Sequence, residues 1–296
     1  METDFRPSTQ MCNTRRKLSM STMQSFRLLG VCLAIHLVSF ESARAWEYNL
    51  TNGNSSVTIN ADTDYGMSDW TVDGQTQLYK QWFWYRKGNT GGEKTLNHLD
   101  LVSVNQSSPS TLTTLYNSSG QFNIEVSYTL LGGSGGSGNS TVGEQIKISN
   151  LSASTLNFHF FQYVDFDLGG DYHGDTVELG QNVSGLYDYA YQHKGNSYFA
   201  DEIVSPGAQH GEVGLSQSIL TKLLDSSPTT LNGNTGPVTG DATWAFQWDA
   251  AIPVGGSFSI ALNKSVYVVP EPSATALIPA ALAMLALVKR RFGSGR

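Results

Sequence analysis

Within one short stretch the chain carries Asp165, Asp167, Asp171 and Asp175, with Gly169, Gly170 and His173 among them. Closely spaced carboxylates on a glycine-rich loop suit a hard cation such as Ca2+, which takes several oxygen ligands at once. The pattern departs from an EF-hand loop. Gly169 stands where a third oxygen ligand would fall, and Thr176 where a bidentate Glu would. Read plainly, the same residues make an acidic, solvated loop after a long strand. Asp165, Asp167, Asp171 and Asp175 are thus the candidate metal ligands, with Ca2+ the ion and no other cofactor implied. A second acidic loop holds Asp62, Asp64, Asp69 and Asp73. It strengthens the metal reading if the two loops meet in space.

Aromatic residues offer a different chemistry. Trp82, Trp84, Tyr85 and the alternating Tyr187, Tyr189 and Tyr191 could stack on sugar rings. On a strand, residues two apart share a face, so the three tyrosines are expected to point the same way. Such a face is either an exposed platform or half-buried core, and aromatic residues on strands usually pack inward.

Motifs for catalysis are missing. His159, His173, His193 and His210 are scattered without ligand spacing. There is no His-Glu-x-x-His and no P-loop. Gly132–Gly138 formally fits the nucleophile elbow and the dinucleotide fingerprint, but both need a strand–turn–helix. Between two strand patterns it reads as a flexible hairpin loop. The many carboxylates identify no glycosidase pair, because nothing in the sequence gives their separation. On these grounds no enzymatic activity is expected.

The elements that must position these residues read as strands. Ser55–Thr63, Gln77–Arg86, Leu99–Asn105, Thr111–Tyr116, Phe122–Leu130, Gly143–Ser149, Thr155–Leu168, Ala242–Trp248, Ser257–Leu262 and Ser265–Val269 alternate or are strongly aromatic, with turn residues between them. Only Leu215–Leu224 has helical spacing. The expected fold is all-β, an antiparallel β-sandwich of twelve or more strands, followed by one C-terminal transmembrane-like helix.

Composition agrees. The body, residues 46–269, has seven Lys and one Arg against twenty-one Asp and Glu, a formal charge of −13, whereas the whole chain carries −7. Such a surface excludes nucleic acid as a partner. Both cysteines, Cys12 and Cys32, precede the body, so it has no disulfide, thiol nucleophile or cysteine metal site.

The two ends read as targeting segments. Residues 1–45 resemble a secretory signal, with Arg15, Arg16, Lys17 and Arg27, an apolar Leu28–Phe40, and Ala43 and Ala45 as the cleavage site. Met20 or Met23 would start a signal of ordinary length. Residues 270–296 begin with Pro270, Glu271 and Pro272. They continue through the uncharged run Ala274–Val288 and close on Lys289, Arg290 and Arg291. That run is fifteen residues long, short of the roughly 20 that a full span needs. The basic cluster fits retention on the cytoplasmic side.

This tail resembles the PEP-CTERM sorting domain of exported bacterial proteins, over its 27 residues only. The resemblance implies cleavage near Pro270–Pro272 by an exosortase, passage through the secretion machinery, a membrane-inserted precursor and an exopolysaccharide-rich envelope. The stretch Ile148–Gly170, with Trp244–Trp248 and Pro253–Ile260, is similar to the β-rich bodies that precede such tails, which carry no assigned activity. The sequence therefore predicts an exported protein of the cell surface or extracellular matrix, structural or adhesive in role. The alternatives are a carbohydrate- or calcium-binding module, or a glycan-active hydrolase.

Overall fold

The computed structural model describes residues 47–269. Strands β1 (Glu47–Asn52), β2 (Ser55–Asn60), β3 (Gly66–Val72) and β4 (Gln75–Lys87) follow one another as hairpins, and the short β5 (Lys94–Thr95) lies on β4. β6 (Asp100–Ser108), β7 (Thr111–Asn117), β8 (Phe122–Gly132) and β9 (Asn139–Asn150) form a meander. The chain then crosses back, and β10 (Leu156–Phe166) pairs with β4. β11 (Asp175–Gln181), β12 (Tyr187–Lys194), β13 (Tyr198–Ala208) and β14 (His210–Leu215) come next. Helix α1 (Gln217–Leu224) follows, then β15 (Val238–Gly240), β16 (Ala242–Ile252) and β17 (Ser257–Val268).

Two antiparallel sheets result. The first runs β1-β2-β3-β4-β10-β16-β14, and the second β15-β11-β12-β13-β17-β9-β8-β7-β6. The all-β, antiparallel expectation is the architecture found. Aromatic side chains fill the space between the sheets: Phe158 packs edge-on against Phe122, their rings 5.0 Å apart, and Phe166 stacks on Trp244 at 5.6 Å. Trp70 Nε1 donates across the sandwich to Ser140 Oγ at 2.9 Å.

A buried ionic group sits in the same layer. Lys264 Nζ lies 3.1 Å from both Glu144 Oε2 and Glu202 Oε1, with all three side chains inaccessible. Gln162 and Trp244 of the first sheet donate to Glu202, at 2.7 and 3.2 Å. Lys264 explains why one strand reads as two. It interrupts the apolar alternation of β17, yet it points inward.

Other elements differ from the sequence reading. Leu215 belongs to β14, opposite Ala242, and Ser216 turns the chain at φ +26° before α1 begins. The Gly132–Gly138 loop is held rather than free: Asp73 accepts the backbone N–H of Gly136 at 2.6 Å and of Gly138 at 2.8 Å. No described helix is long and apolar enough to cross a membrane. The expected transmembrane-like segment lies outside the described residues. So do Pro270, Glu271, Pro272, Lys289, Arg290 and Arg291, and the leader with Ala43 and Ala45.

Candidate functional site

The register of the central strands fixes what their outer face presents. Alternate residues of β10, such as Phe158, Phe160 and Gln162, face the second sheet, so His159, Phe161, Tyr163 and Asp165 face away. His159 stands opposite Arg86 on one side and Asp249 on the other. Phe161 stands between Trp84 and Gln247, and Tyr163 between Trp82 and Ala245. β14 adds His210 opposite Gln247 and Glu212 opposite Ala245. The outer face is thus a grid, polar at both ends with aromatic residues between.

At one end Asp249 joins two imidazoles. Its Oδ1 lies 2.6 Å from His159 Nδ1, and its Oδ2 lies 3.3 Å from His210 Nε2. Gln247 Nε2 donates to the same Oδ1 at 2.9 Å, and the Asp249 amide donates to Gln209 Oε1 at 3.0 Å. His159 Nε2 faces Asn89 Oδ1 at 3.2 Å. Partial burial pushes the Asp249 carboxyl up, but the hydrogen bonds from Gln247 and His159 and the nearby imidazoles outweigh it. The group is held below the usual carboxylate range and stays ionised. The His159 side chain is 16% exposed and His210 36%, so both reach solvent. His159 and Asp249 line a groove of about 310 Å³ together with Asn89, Asn157 and Ala251, and His210 is tied to it through Asp249. A carboxylate that orients imidazoles beside a groove equips the site for proton transfer.

The middle of the face is covered by the chain itself. Arg86 Nη1 ion-pairs with buried Glu93 and donates to the Thr229 carbonyl at 3.1 Å. The Thr229 amide donates to Glu93 Oε1 at 2.9 Å, the Leu231 amide to Gln247 Oε1 at 3.0 Å, and the Asn232 amide to Glu212 Oε2 at 3.0 Å. Lys222 of α1 pairs with Glu212 at 2.5 Å. Residues 225–234 are thereby strapped across β4, β16 and β14. Gly92 permits the strap's start: a Cβ there would lie 2.2 Å from the Asp225 carbonyl oxygen.

The other end is acidic. One carboxylate oxygen from each of Asp165, Asp167 and Asp241 lies within 4.8 Å of the others. Asp165 is 6% exposed, and Tyr163 Oη donates to its Oδ2 at 3.1 Å. Burial, reinforced by the neighbouring carboxylates, raises Asp165 to about 7 and Asp167 to about 6. Asp175 is fully buried behind them, raised to about 7 by burial, and its Oδ2 accepts the Leu168 amide at 3.4 Å. Asp171 turns elsewhere, to Lys194 at 3.0 Å and His173 at 2.9 Å. Of the four aspartates read from the sequence, Asp165 and Asp167 come together, Asp175 lies near and Asp171 does not join. Asp241 could not be read from the sequence, because it arrives from the start of β16. The second acidic loop comes near this group through Lys80. That residue pairs with Asp64 at 3.8 Å and also feels the charge of Asp165.

The aromatic residues divide. Trp82, Trp84 and Tyr85 are buried. A bulge near Asp188 breaks the alternation of β12, so Tyr187 packs inward while Tyr189 and Tyr191 face out. These two continue into a row with Phe199 and Tyr267, with ring spacings of 6.5, 6.5 and 6.1 Å.

No family model and no curated protein sequence matches this chain. Solved structures do. A bacterial glucoamylase complexed with acarbose matches with a TM-score of 0.55 and 10% identity over 79% of this chain; the match spans only 32% of the glucoamylase. A protein of Escherichia coli K12 assigned as an aldose 1-epimerase matches with a TM-score of 0.50 and 11% identity, over 75% of this chain and 99% of its own. A galactose mutarotase related enzyme from Lactobacillus acidophilus matches with a TM-score of 0.50 and 10% identity, over 76% and 98%. These likenesses are of fold. They correct the expectation of a structural or adhesive protein without enzymatic activity: the body takes a fold that sugar-processing enzymes use. The sequence did not show the His159–Asp249–His210 group because these residues are far apart in the chain and meet only through strand pairing.

Proposed function

We propose that this chain is a carbohydrate-active enzyme that performs acid–base chemistry on a sugar ring at His159, Asp249 and His210. The observation that carries the reading is Asp249 joining two imidazoles, where Asp249 and His159 line a groove on the outer face of the central strands. The fold shared with an aldose 1-epimerase and a galactose mutarotase related enzyme supports a sugar as the substrate class. The groove, at about 310 Å³, is of monosaccharide size. Interconversion of anomers needs one group to take the proton from the anomeric hydroxyl and another to give one to the ring oxygen. The ring C–O bond then breaks, the carbonyl rotates, and closure reverses both transfers. His159, with Asp249 and Asn89 oxygens on its two nitrogens, is placed as the acid, and His210 as the base. The test is anomer exchange of free glucose and galactose followed by NMR. Exchange accelerated by the protein and lost in Asp249→Asn supports the reading. No acceleration, with release of reducing ends from oligosaccharides instead, would replace it by glycan hydrolysis.

We infer further that residues 270–296 act as a PEP-CTERM-type sorting signal and residues 1–45 as an export signal. This would bring the activity to the cell envelope and its exopolysaccharide. Support comes from Pro270, Glu271 and Pro272, the apolar run after them, and the basic close at Lys289–Arg291. Intact-mass measurement on membrane and extracellular fractions tests it. A product from near Trp46 to near Pro272 outside the cell is expected, with Glu271→Ala retaining the uncut precursor. Unchanged processing of that variant overturns the assignment.

A further inference from the structure

Strand register creates the acidic end of the outer face. Val164 is opposite Trp244 in the β10–β16 pair. Just past this pairing, Asp167 follows the last residue of β10 and Asp241 precedes the first of β16. Asp165, one position past Val164, completes the group, and an oxygen from each lies within 4.8 Å of the others. Three carboxylates this close repel one another, the more so where burial removes water.

A second observation points to a missing partner. Asp165 is 94% buried (6% exposed) and its Oδ1 has no hydrogen-bond donor, while Oδ2 is taken by Tyr163. Asp175, wholly buried beside the group, also has an unpartnered Oδ1. A buried carboxylate oxygen without a partner is costly and calls for an ion or a donor. The neighbouring lysines are engaged elsewhere: Lys80 with Asp64 at 3.8 Å, and Lys194 with Asp171 at 3.0 Å.

We propose that Asp165, Asp167 and Asp241 bind a hard divalent cation, Ca2+ ahead of Mg2+, with Asp175 adding negative charge behind them. The donors are all oxygens, which suits Ca2+ or Mg2+ and not a thiolate- or imidazole-preferring metal. Ca2+ sits about 2.4 Å from its ligands, so two oxygens on one ion are at most about 4.8 Å apart. The three oxygens fall within that pairwise limit. Ca2+ also prefers six to eight ligands, and the partial exposure of Asp167 and Asp241 leaves room for water to supply the rest. The site is at the opposite end of the face from His159 and does not rest on the proposed catalysis.

The test uses full-length protein freed of metal with a chelator. It is titrated with CaCl2 and, separately, MgCl2 up to about 10 mM, above the affinity range of extracellular calcium modules. Calorimetry reads stoichiometry and thermal melting reads stabilisation. One Ca2+ per chain is expected, with a Tm that climbs with the logarithm of Ca2+ concentration. Asp241→Asn, at a partly exposed position, should weaken binding at least about tenfold while still folding. Asp100→Asn, an exposed acid on an edge strand of the second sheet, should leave it unchanged. No heat and no Tm shift in the wild type overturns the proposal, and so does Ca2+ stabilisation that Asp241→Asn leaves intact.

Discussion

Lys264 and Glu144 form a 3.1 Å ion pair in which neither side chain touches solvent. Glu202 shares the lysine at the same distance. A lone buried charge is strongly disfavoured, and the cost appears when one partner is removed. Lys264→Met should therefore destabilise the protein by about 3–5 kcal/mol, because it leaves Glu144 and Glu202 facing each other without a cation. Denaturant unfolding checks this. A loss below about 1 kcal/mol would mean that the group behaves as a solvated surface pair.

The same group gives the protein a pH dependence. Burial raises Glu144 from its usual 4.5 to about 7, with Lys264 opposing the shift and Glu202 reinforcing it. Between those values the unfolded chain has released this proton and the folded one still holds it. Stability contributed by Glu144 is thus present below pH 4.5 and lost as pH rises towards 7. Lys264 is also raised, above its usual 10.5 by the two glutamates in spite of burial, and its contribution fades only at higher pH. Tyr128, Gln162 and Trp244 also border the group, and none titrates in this window. Asp165, Asp167 and Asp175 slope the same way as Glu144, so the informative measurement is a difference. The wild-type stability profile minus that of Glu144→Gln should fall from pH 4.5 to 7. A flat difference would show that Glu144 ionises normally.

The two sheets were legible in the sequence because alternation survives where one face is buried and the other wet, as in β8, where Phe122, Ile124, Val126 and Tyr128 point inward. Alternation fails where ion pairing or burial on both faces intrudes. Lys264 faces the interior and splits β17 into two apparent strands. In β10 nearly every residue from Phe158 to Phe166 is buried, so a strand covered on both faces shows no pattern by which His159 could be singled out. Metal-type spacing in one loop was readable for Asp165 and Asp167, but their third partner, Asp241, lies 74 residues beyond Asp167, just before β16. The His159–Asp249–His210 group is harder still. It draws one residue from each of three strands, and no local motif encodes a pairing register.

If His159 and Asp249 exchange protons with a sugar, their isosteric variants separate chemistry from folding. Asp249→Asn keeps the shape but removes the charge that holds His159 Nδ1. His159→Asn removes the transferable proton. Each should lower the anomer-exchange rate by about 10²–10⁴-fold with little change in unfolding midpoint, since both sites are partly exposed. Stopped-flow polarimetry on purified variants gives the rates. Equal rates in wild type and both variants would remove these residues from the reaction.

The strap over the outer face depends on charge that the strands supply. Glu93 is inaccessible and takes both the Arg86 guanidinium and the Thr229 amide, so Arg86 and Glu93 together hold the strap at one end. Gln247 and Glu212 hold the amides of Leu231 and Asn232 further along. Arg86→Met deprives Glu93 of its counter-charge and Thr229 of a donor at once, and should cost about 3–5 kcal/mol. The loss should be local before it is global, because residues 229–232 are bound to the sheet through these side chains, and backbone pairing with β14 begins only at Gly233 and Asn234. Hydrogen exchange resolves the two. The amides of Thr229, Leu231 and Asn232 should exchange faster in Arg86→Met, while those in the β8–β9 pair on the second sheet keep their protection. Uniform acceleration across both sheets would instead make the Arg86–Glu93 pair part of the global core, and the strap no separate unit.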